Sequence, residues 1–183
     1  ALYMALSRTL IRTYAPQYHL QPERVLAAAN QRLLADANIG VFVTVFYGVL
    51  DPATGTLAYC NAGHNAPYLL RAGGDGLVQA LSPTGMALGM SRGGRWAQST
   101  VQIARGDTLV LYSDGITVAQ DAEKAFFGDE RLVEVAQARS SPSGAQSASA
   151  EAVQAALLAE FDEFLGDAPQ PDDITLMVLV RDR

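Results

Sequence analysis

Cysteine is nearly absent from this sequence, Cys60 being the only one. An internal disulfide is therefore excluded, and a reducing cytoplasmic setting fits best. Basic clusters are missing too. Thirteen Lys and Arg stand against 19 Asp and Glu, for a net charge of −6. Arg92 and Arg95, beside a glycine pair, make the densest basic spot and do not form a patch. A nucleic-acid partner, whose phosphates are met by clustered Lys and Arg, is excluded on that ground. No apolar run reaches the roughly 18–20 residues of a membrane-spanning helix, and no signal peptide is visible. Membrane insertion of this domain is not expected. A start methionine is also lacking. Ala1 opens directly into an apolar, helix-like stretch, so the expectation is one domain that is incomplete at its N-terminus.

What remains is an ordinary globular balance, 49% apolar and 17% charged over 183 residues, enough for a substantial core. Leu2, Leu6, Leu10 and Tyr14 recur every fourth residue and predict a first helix. Pro16 breaks it, and Pro22 suits the first turn of a second helix lined by Val25, Leu26, Ala29, Leu33 and Leu34. Residues 1–37 thus read as a helical hairpin. From Gly40 the pattern changes, and residues 40–113 read as a strand-rich core. Val41 to Leu50 is β-branched and aromatic on both faces, which predicts a central strand. Asp51-Pro52-Ala53-Thr54-Gly55 then signals a hairpin turn into Thr56–Cys60. Short strands follow at Pro67–Arg71, Gly76–Ala80, Thr100–Ile103 and Asp107–Ser113, with a helix at Glu130–Ala138. Residues 139–150, rich in Ser and Ala, read as a flexible loop. An amphipathic helix over 151–165 carries Val153, Ala156, Leu157, Phe161 and Phe164 on one stripe, and residues 173–181 form a last strand. Tight turns between strands imply antiparallel pairing and an α+β class.

Two acidic clusters carry the chemistry. Tyr112-Ser113-Asp114-Gly115 ends one apolar run, and Pro171-Asp172-Asp173-Ile174-Thr175 opens another. A rigid sheet can aim a carboxylate held at a strand end, and hard divalent cations want oxygen ligands so aimed. The pair points to a shared Mg²⁺ or Mn²⁺ site.

The clusters belong to an ordered series. Phe42 to Gly48 is followed by Asp51 to Gly55, Asn61-Ala62-Gly63-His64-Asn65-Ala66-Pro67, Gly85-Met86-Ala87-Leu88-Gly89 and Gly106-Asp107. Leu111 to Thr117, Phe127-Gly128 and Asp172 to Thr175 complete it. This series resembles the bacterial sporulation stage II protein E-like branch of the metal-dependent protein phosphatases (the type 2C, or PPM, superfamily). The resemblance runs through essentially the whole chain. It implies an αββα four-layer sandwich, two mainly antiparallel sheets covered by helices, here lacking N-terminal strands.

The resemblance also implies a dinuclear Mn²⁺ or Mg²⁺ centre. Asp114 and Asp172 match its metal ligands, and Asp173 is a secondary candidate standing where many relatives carry Asn. Two further ligand motifs of the family lie upstream of the first helix, so the centre is expected to be incomplete in this chain, which alone should turn over poorly. Gly115, Asn61, Gly63 and His64 are expected to line the site. His64 can act as a general acid or a phosphate donor, and a packing or turn role stands equally beside those. Cys60 reads as a buried strand residue and Trp96 as a loop anchor. Val118 stands where relatives often carry Glu.

As function, the resemblance implies a protein serine/threonine phosphatase acting on a phosphorylated protein, an anti-anti-sigma factor. An upstream sensor domain would act through the first helices, and a homodimer is admitted. A catalytically inactive pseudophosphatase, working as a signalling or dimerisation module on the same fold, is the alternative.

Overall fold

Helix α1 (Leu2–Tyr14) forms where the four-residue apolar spacing predicts it. The structure, a computed structural model, describes residues 2–36, 42–72, 77–140, 149–170 and 172–182. Helix α2 (Pro22–Asp36) starts at the predicted proline, whose fixed φ and missing N–H suit a first turn. The described residues fall into two compact units, one of Ala1–His64 with Ser82–Gln102 and one of Asn65–Leu81 with Ile103–Arg183.

The first unit holds α1, α2 and a three-stranded antiparallel sheet ordered β1 (Val45–Asp51), β2 (Thr56–Ala62), β5 (Ser99–Gln102). The β1–β2 turn closes as its residues dictate. Asp51 Oδ1 accepts from the Ala53 N–H at 2.9 Å, and Gly55 takes φ +79°, where a Cβ would be strained. Leu26 and Leu33 of α2 pack with Cys60, Ala62, Leu88 and Trp96, and Tyr3, Leu6, Leu10 and Ile11 of α1 close over them. Burial pushes the Cys60 thiol up to about 11, which suits a packing residue and not a reactive one.

One expectation is corrected here. The run beginning at Val41 was expected to be a central strand, but regular pairing starts at Val45, with Val43 making a single bridge to Leu88. Positions 40 and 41 lie outside the described residues. Among the described residues β1 pairs with β2 alone and lies at the sheet edge. Its other edge faces a cleft of about 390 Å³ beside α1, lined by Met4, Ser7, Ile11, Val43, Val45 and Tyr47. Apolar side chains on both faces of a run bear on what packs against those faces and say nothing about the edges.

The loop that leads into β5 is anchored firmly. Asn30 of α2 is buried; its Nδ2 donates to the Ser91 carbonyl (2.9 Å) and its Oδ1 accepts from the Gly89 N–H (2.8 Å). Trp96 Nε1 donates to the Met86 carbonyl at 2.8 Å, the loop-anchoring role expected of it. Gly85 is wedged between the Ala62 and Trp96 backbones, and a Cβ there would sit 2.5 Å from the Arg95 carbonyl and from Trp96 Cδ1. Backbone cannot move aside cheaply. Gly85→Ala is therefore expected to cost about 1–3 kcal/mol in urea unfolding, the usual range for overpacking. A variant as stable as the parent would show that the loop relaxes freely.

The second unit holds a four-stranded antiparallel sheet, ordered β4 (Val78–Ala80), β3 (Tyr68–Leu70), β6 (Thr108–Tyr112), β7 (Leu176–Val180). β6 is flanked on both sides and is nearly wholly buried, as an unbroken apolar run should be. Helices α3 (Asp114–Thr117), α4 (Gly128–Ser140) and α5 (Ala150–Leu165) complete it. Ser149 caps α5 by accepting from the Ala152 N–H at 3.1 Å, and Gly166 at φ +53° ends it. The predicted stripe holds, with Val153, Leu157 and Phe161 buried against Leu70, Val110, Phe127 and Leu132. α4 runs two residues beyond the predicted 130–138 at each end. The predicted flexible loop at 139–150 falls largely on 141–148, outside the described residues. β7 starts at Leu176 and not at Asp173, so the acidic cluster stands free of the strand. Among the described residues no helix is long and apolar enough to cross a membrane.

Candidate metal-binding edge

The β6–β7 ladder runs from Thr108↔Val180 to Tyr112↔Leu176. One step further, the Ser113 N–H donates to the Thr175 carbonyl at 3.0 Å, and the Thr175 N–H donates back to Ser113 Oγ at 2.9 Å. Ser113 thus latches the last rung with its side chain. Beyond it both strands end together. Asp114 opens the single turn of α3, while Asp172 and Asp173 lie just ahead of β7 on the adjoining strand. Strands distant in sequence but paired antiparallel bring the end of one beside the start of the other, which is how the two acidic clusters meet.

Gly115 makes the approach possible. A Cβ there would lie 2.6 Å from the Asp173 carbonyl oxygen and 3.4 Å from Ile174 Cγ2. Only a residue without a side chain lets α3 press against the 172–174 segment. The Asp114, Asp172 and Asp173 residues are all exposed. Asp172 Oδ1 accepts from the Asp173 N–H at 2.7 Å, which orients that carboxylate.

Below this edge lies a group that the sequence did not reveal. Tyr112 is buried, and its phenol donates to Asp129 Oδ1 at 2.6 Å, a length typical of a hydrogen bond to a carboxylate. Its ring stacks on Tyr68, with centroids 5.9 Å apart and planes 5° from parallel. Burial first, and then the Asp129 carboxylate, push the Tyr112 phenol far above its ordinary range, so it stays a donor. Burial and Asp129 raise Tyr68 as well. Tyr112 was read only as the end of a strand. No sequence signal links it to an Asp seventeen residues on.

The other predicted site residues lie in the first unit. Asn61 is buried and its Oδ1 accepts from the His64 N–H at 2.8 Å, making a turn about Gly63 at φ +69°. A Cβ on Gly63 would press on the Ala87 backbone N at 3.2 Å. His64 Nδ1 lies 3.2 Å from Thr44 Oγ1, so one ring nitrogen is engaged with a hydroxyl. Asn61 and Gly63 therefore have clear structural work to do, and His64 is held by its own backbone turn.

As a donor set, the 114 and 172–173 edge offers oxygen alone, which fits hard cations such as Mg²⁺ or Mn²⁺ and not softer metals. The fit is partial. Among the described residues, no group of three or more His, Cys, Asp or Glu side chains is gathered closely enough to hold a metal ion.

The fold is similar to that of the SiaA-PP2C domain of Pseudomonas aeruginosa, with a TM-score of 0.80 at 23% identity over 100% of this chain and 70% of that one. Two antiparallel sheets with helices make an α+β, PP2C-like fold, as the sequence implied. Protein IcfG of Synechocystis sp. is 33% identical over 144 residues, 79% of this chain. Phosphoserine phosphatase RsbU of Bacillus subtilis is 28% identical over 102 residues, 56% of this chain. The aligned residues span only 21% of the first relative and 30% of the second. Residues 1–182 match the profile described as Stage II sporulation protein E (SpoIIE), and the chain belongs to that family.

Proposed function

We propose that this chain is part of a metal-dependent protein serine/threonine phosphatase, with Asp114 and Asp172 as metal ligands and Asp173 as a secondary one. The convergence of two exposed carboxylate clusters at the shared end of β6 and β7 carries this reading. The name phosphoserine phosphatase borne by the RsbU relative supports it. When bound, a pair of Mn²⁺ or Mg²⁺ ions supplies a water of lowered pKa and neutralises charge on the phosphoryl group. The chain's own residues prepare the place. Gly115 admits the close approach of the 114 and 172–173 segments, Ser113 latches the last rung, and Asp114 and Asp172 present oxygen ligands. In the family that the chain resembles, further ligands come from two motifs upstream of the first helix.

The substrate is a phosphoserine or phosphothreonine protein, and an anti-anti-sigma factor is the partner that the family resemblance favours. Regulation would act through α1, which follows those upstream motifs in the family. The alternative is a pseudophosphatase that binds without chemistry; a donor set short of three ligands among the described residues is compatible with either reading.

The test is Mn²⁺-dependent dephosphorylation of a phosphoserine protein, with this chain run beside one extended upstream through the two motifs of the family. Turnover by the extended chain and little by the short one is expected. Inert behaviour of both, with no Mn²⁺ bound to either, would overturn the enzyme reading in favour of the binding module.

A further inference from the structure

Residues 113–128 leave the sheet at the end of β6 and return at the start of α4, carrying Asp114 on the way. The inner part of this excursion is pinned by packing, with Ile116, Ala119 and Phe127 buried in the core of the second unit. The Phe127 N–H donates to the Ala119 carbonyl at 2.9 Å, and Gln120 bridges Phe126. Its outer part is tied differently. α3 is one turn long, and Ser113, its N-cap residue, gives it no side-chain cap, so α3 has little rigidity of its own.

What crosses the base of the excursion is the Tyr112–Asp129 hydrogen bond, joining the residue just before Ser113 to the residue just after Gly128. Tyr112 can aim its hydroxyl because its ring is buried and stacked on Tyr68, two rungs along the β3–β6 ladder from Tyr68's partner Val110. Asp129 can receive it because it sits in the first turn of α4, where a carboxylate is favoured. Closing the ends of a loop removes conformations that the loop would otherwise sample. Asp114 lies within the closed loop, two residues from Tyr112.

We propose that Tyr112 and Asp129 form a clasp that holds Asp114 in position, which makes both of them positioning residues for the metal-binding carboxylate. The inference rests on the metal reading of Asp114. The clasp acts through geometry alone and needs no change of protonation.

Two readouts test it. Amide hydrogen exchange over 113–128 reports the clasp itself, and Mn²⁺ titration followed by electron paramagnetic resonance on the upstream-extended chain reports its effect on the site. Tyr112→Phe keeps the ring and its stack but removes the hydroxyl. It should speed exchange at Asp114–Val118 and weaken Mn²⁺ binding about tenfold, within the range for residues that orient metal ligands. Asp129→Ala should match it, and the double variant should be no worse than either single one, because one interaction is lost in each case. Asp129→Asn, which keeps an acceptor oxygen, should restore most of the native behaviour.

Native exchange and native Mn²⁺ affinity in Tyr112→Phe, or additive effects in the double variant, would overturn the clasp. So would a lowered melting temperature with both readouts unmoved, since that marks a purely structural bond. If the extended native chain binds no Mn²⁺, the metal reading fails, and with it the role assigned to the clasp. The exchange pattern would then still show whether Tyr112 and Asp129 hold the loop.

Discussion

Asp114→Asn, placed in the upstream-extended chain, is expected to lose Mn²⁺-dependent turnover of a phosphoserine protein by at least about 100-fold. Loss of a residue that merely orients a metal ligand costs about 10–100-fold, so loss of a ligand should lie at or beyond the upper end. The fold should be unaffected. Asp114 is exposed, and it is the main-chain carbonyl of this residue that accepts the Val118 N–H at 2.9 Å, an interaction that Asn keeps. Surface substitutions without buried partners usually stay within about 0.5 kcal/mol. Asp172→Asn should behave alike, and Asp173→Asn should cost less, as the secondary ligand of the proposed site. Turnover of Asp114→Asn at the parental rate, with unchanged Mn²⁺ dependence, would end the assignment. Equal loss in all three variants would instead make Asp173 a full ligand.

The approach of the 114 segment to the 172–174 segment was legible because the relevant signals were local. Each carboxylate abuts an apolar run, and strands of that composition pair within one sheet. The register could not be read, yet it needed only to be antiparallel to bring the two ends together. The helices were legible for a similar reason. Their apolar spacing, Pro22 at one start and Gly166 at one end are all written within single segments.

Whatever depended on a partner distant in sequence stayed hidden. Val43 to Leu50 looks the same whether its edges are paired or bare, so its place at the edge of the sheet formed by the described residues could not be inferred. The single turn of α3 could not be read, because four residues are too few for a periodic pattern. Tyr112 finds Asp129 only through the path of the intervening loop. Gly106-Asp107 was noticed as a member of the motif series, but its purpose was invisible because its cation comes from Arg71, just past the end of β3.

That hidden purpose sets the second large effect, since Asp107→Ala is expected to destabilise the chain by about 3–5 kcal/mol. The Asp107 side chain is 2% exposed and carries three interactions at once. Its Oδ2 accepts from Arg71 Nη1 and from the Ala104 N–H, both at 2.8 Å, and its Oδ1 accepts from the Ala72 N–H at 2.8 Å. One carboxylate therefore binds the end of β3, the turn into β6 and a guanidinium. Its own carbonyl accepts from the Arg181 N–H at 3.1 Å, adding the end of β7. Alanine leaves two backbone donors and a cation without their acceptor, and removing one partner of a buried pair costs about 3–5 kcal/mol. Arg71 is 27% exposed and also bonds Gln79, so water and that amide recover part of the loss and favour the lower end of the range. For a chain of this length the melting temperature should fall by about 10 °C. Asp107→Asn should fall by less, since it retains one oxygen acceptor. A drop under about 2 °C for alanine would mean that water replaces the carboxylate at no cost. Asp107 and Asp114 bracket β6 at opposite ends, about 20 Å apart along an extended strand. Below its lowered transition, Asp107→Ala should thus keep the parental Mn²⁺ dependence, whereas Asp114→Asn should lose that dependence and keep the parental melting temperature. That reciprocal pattern separates the residue that holds the sheet from the one that holds the metal.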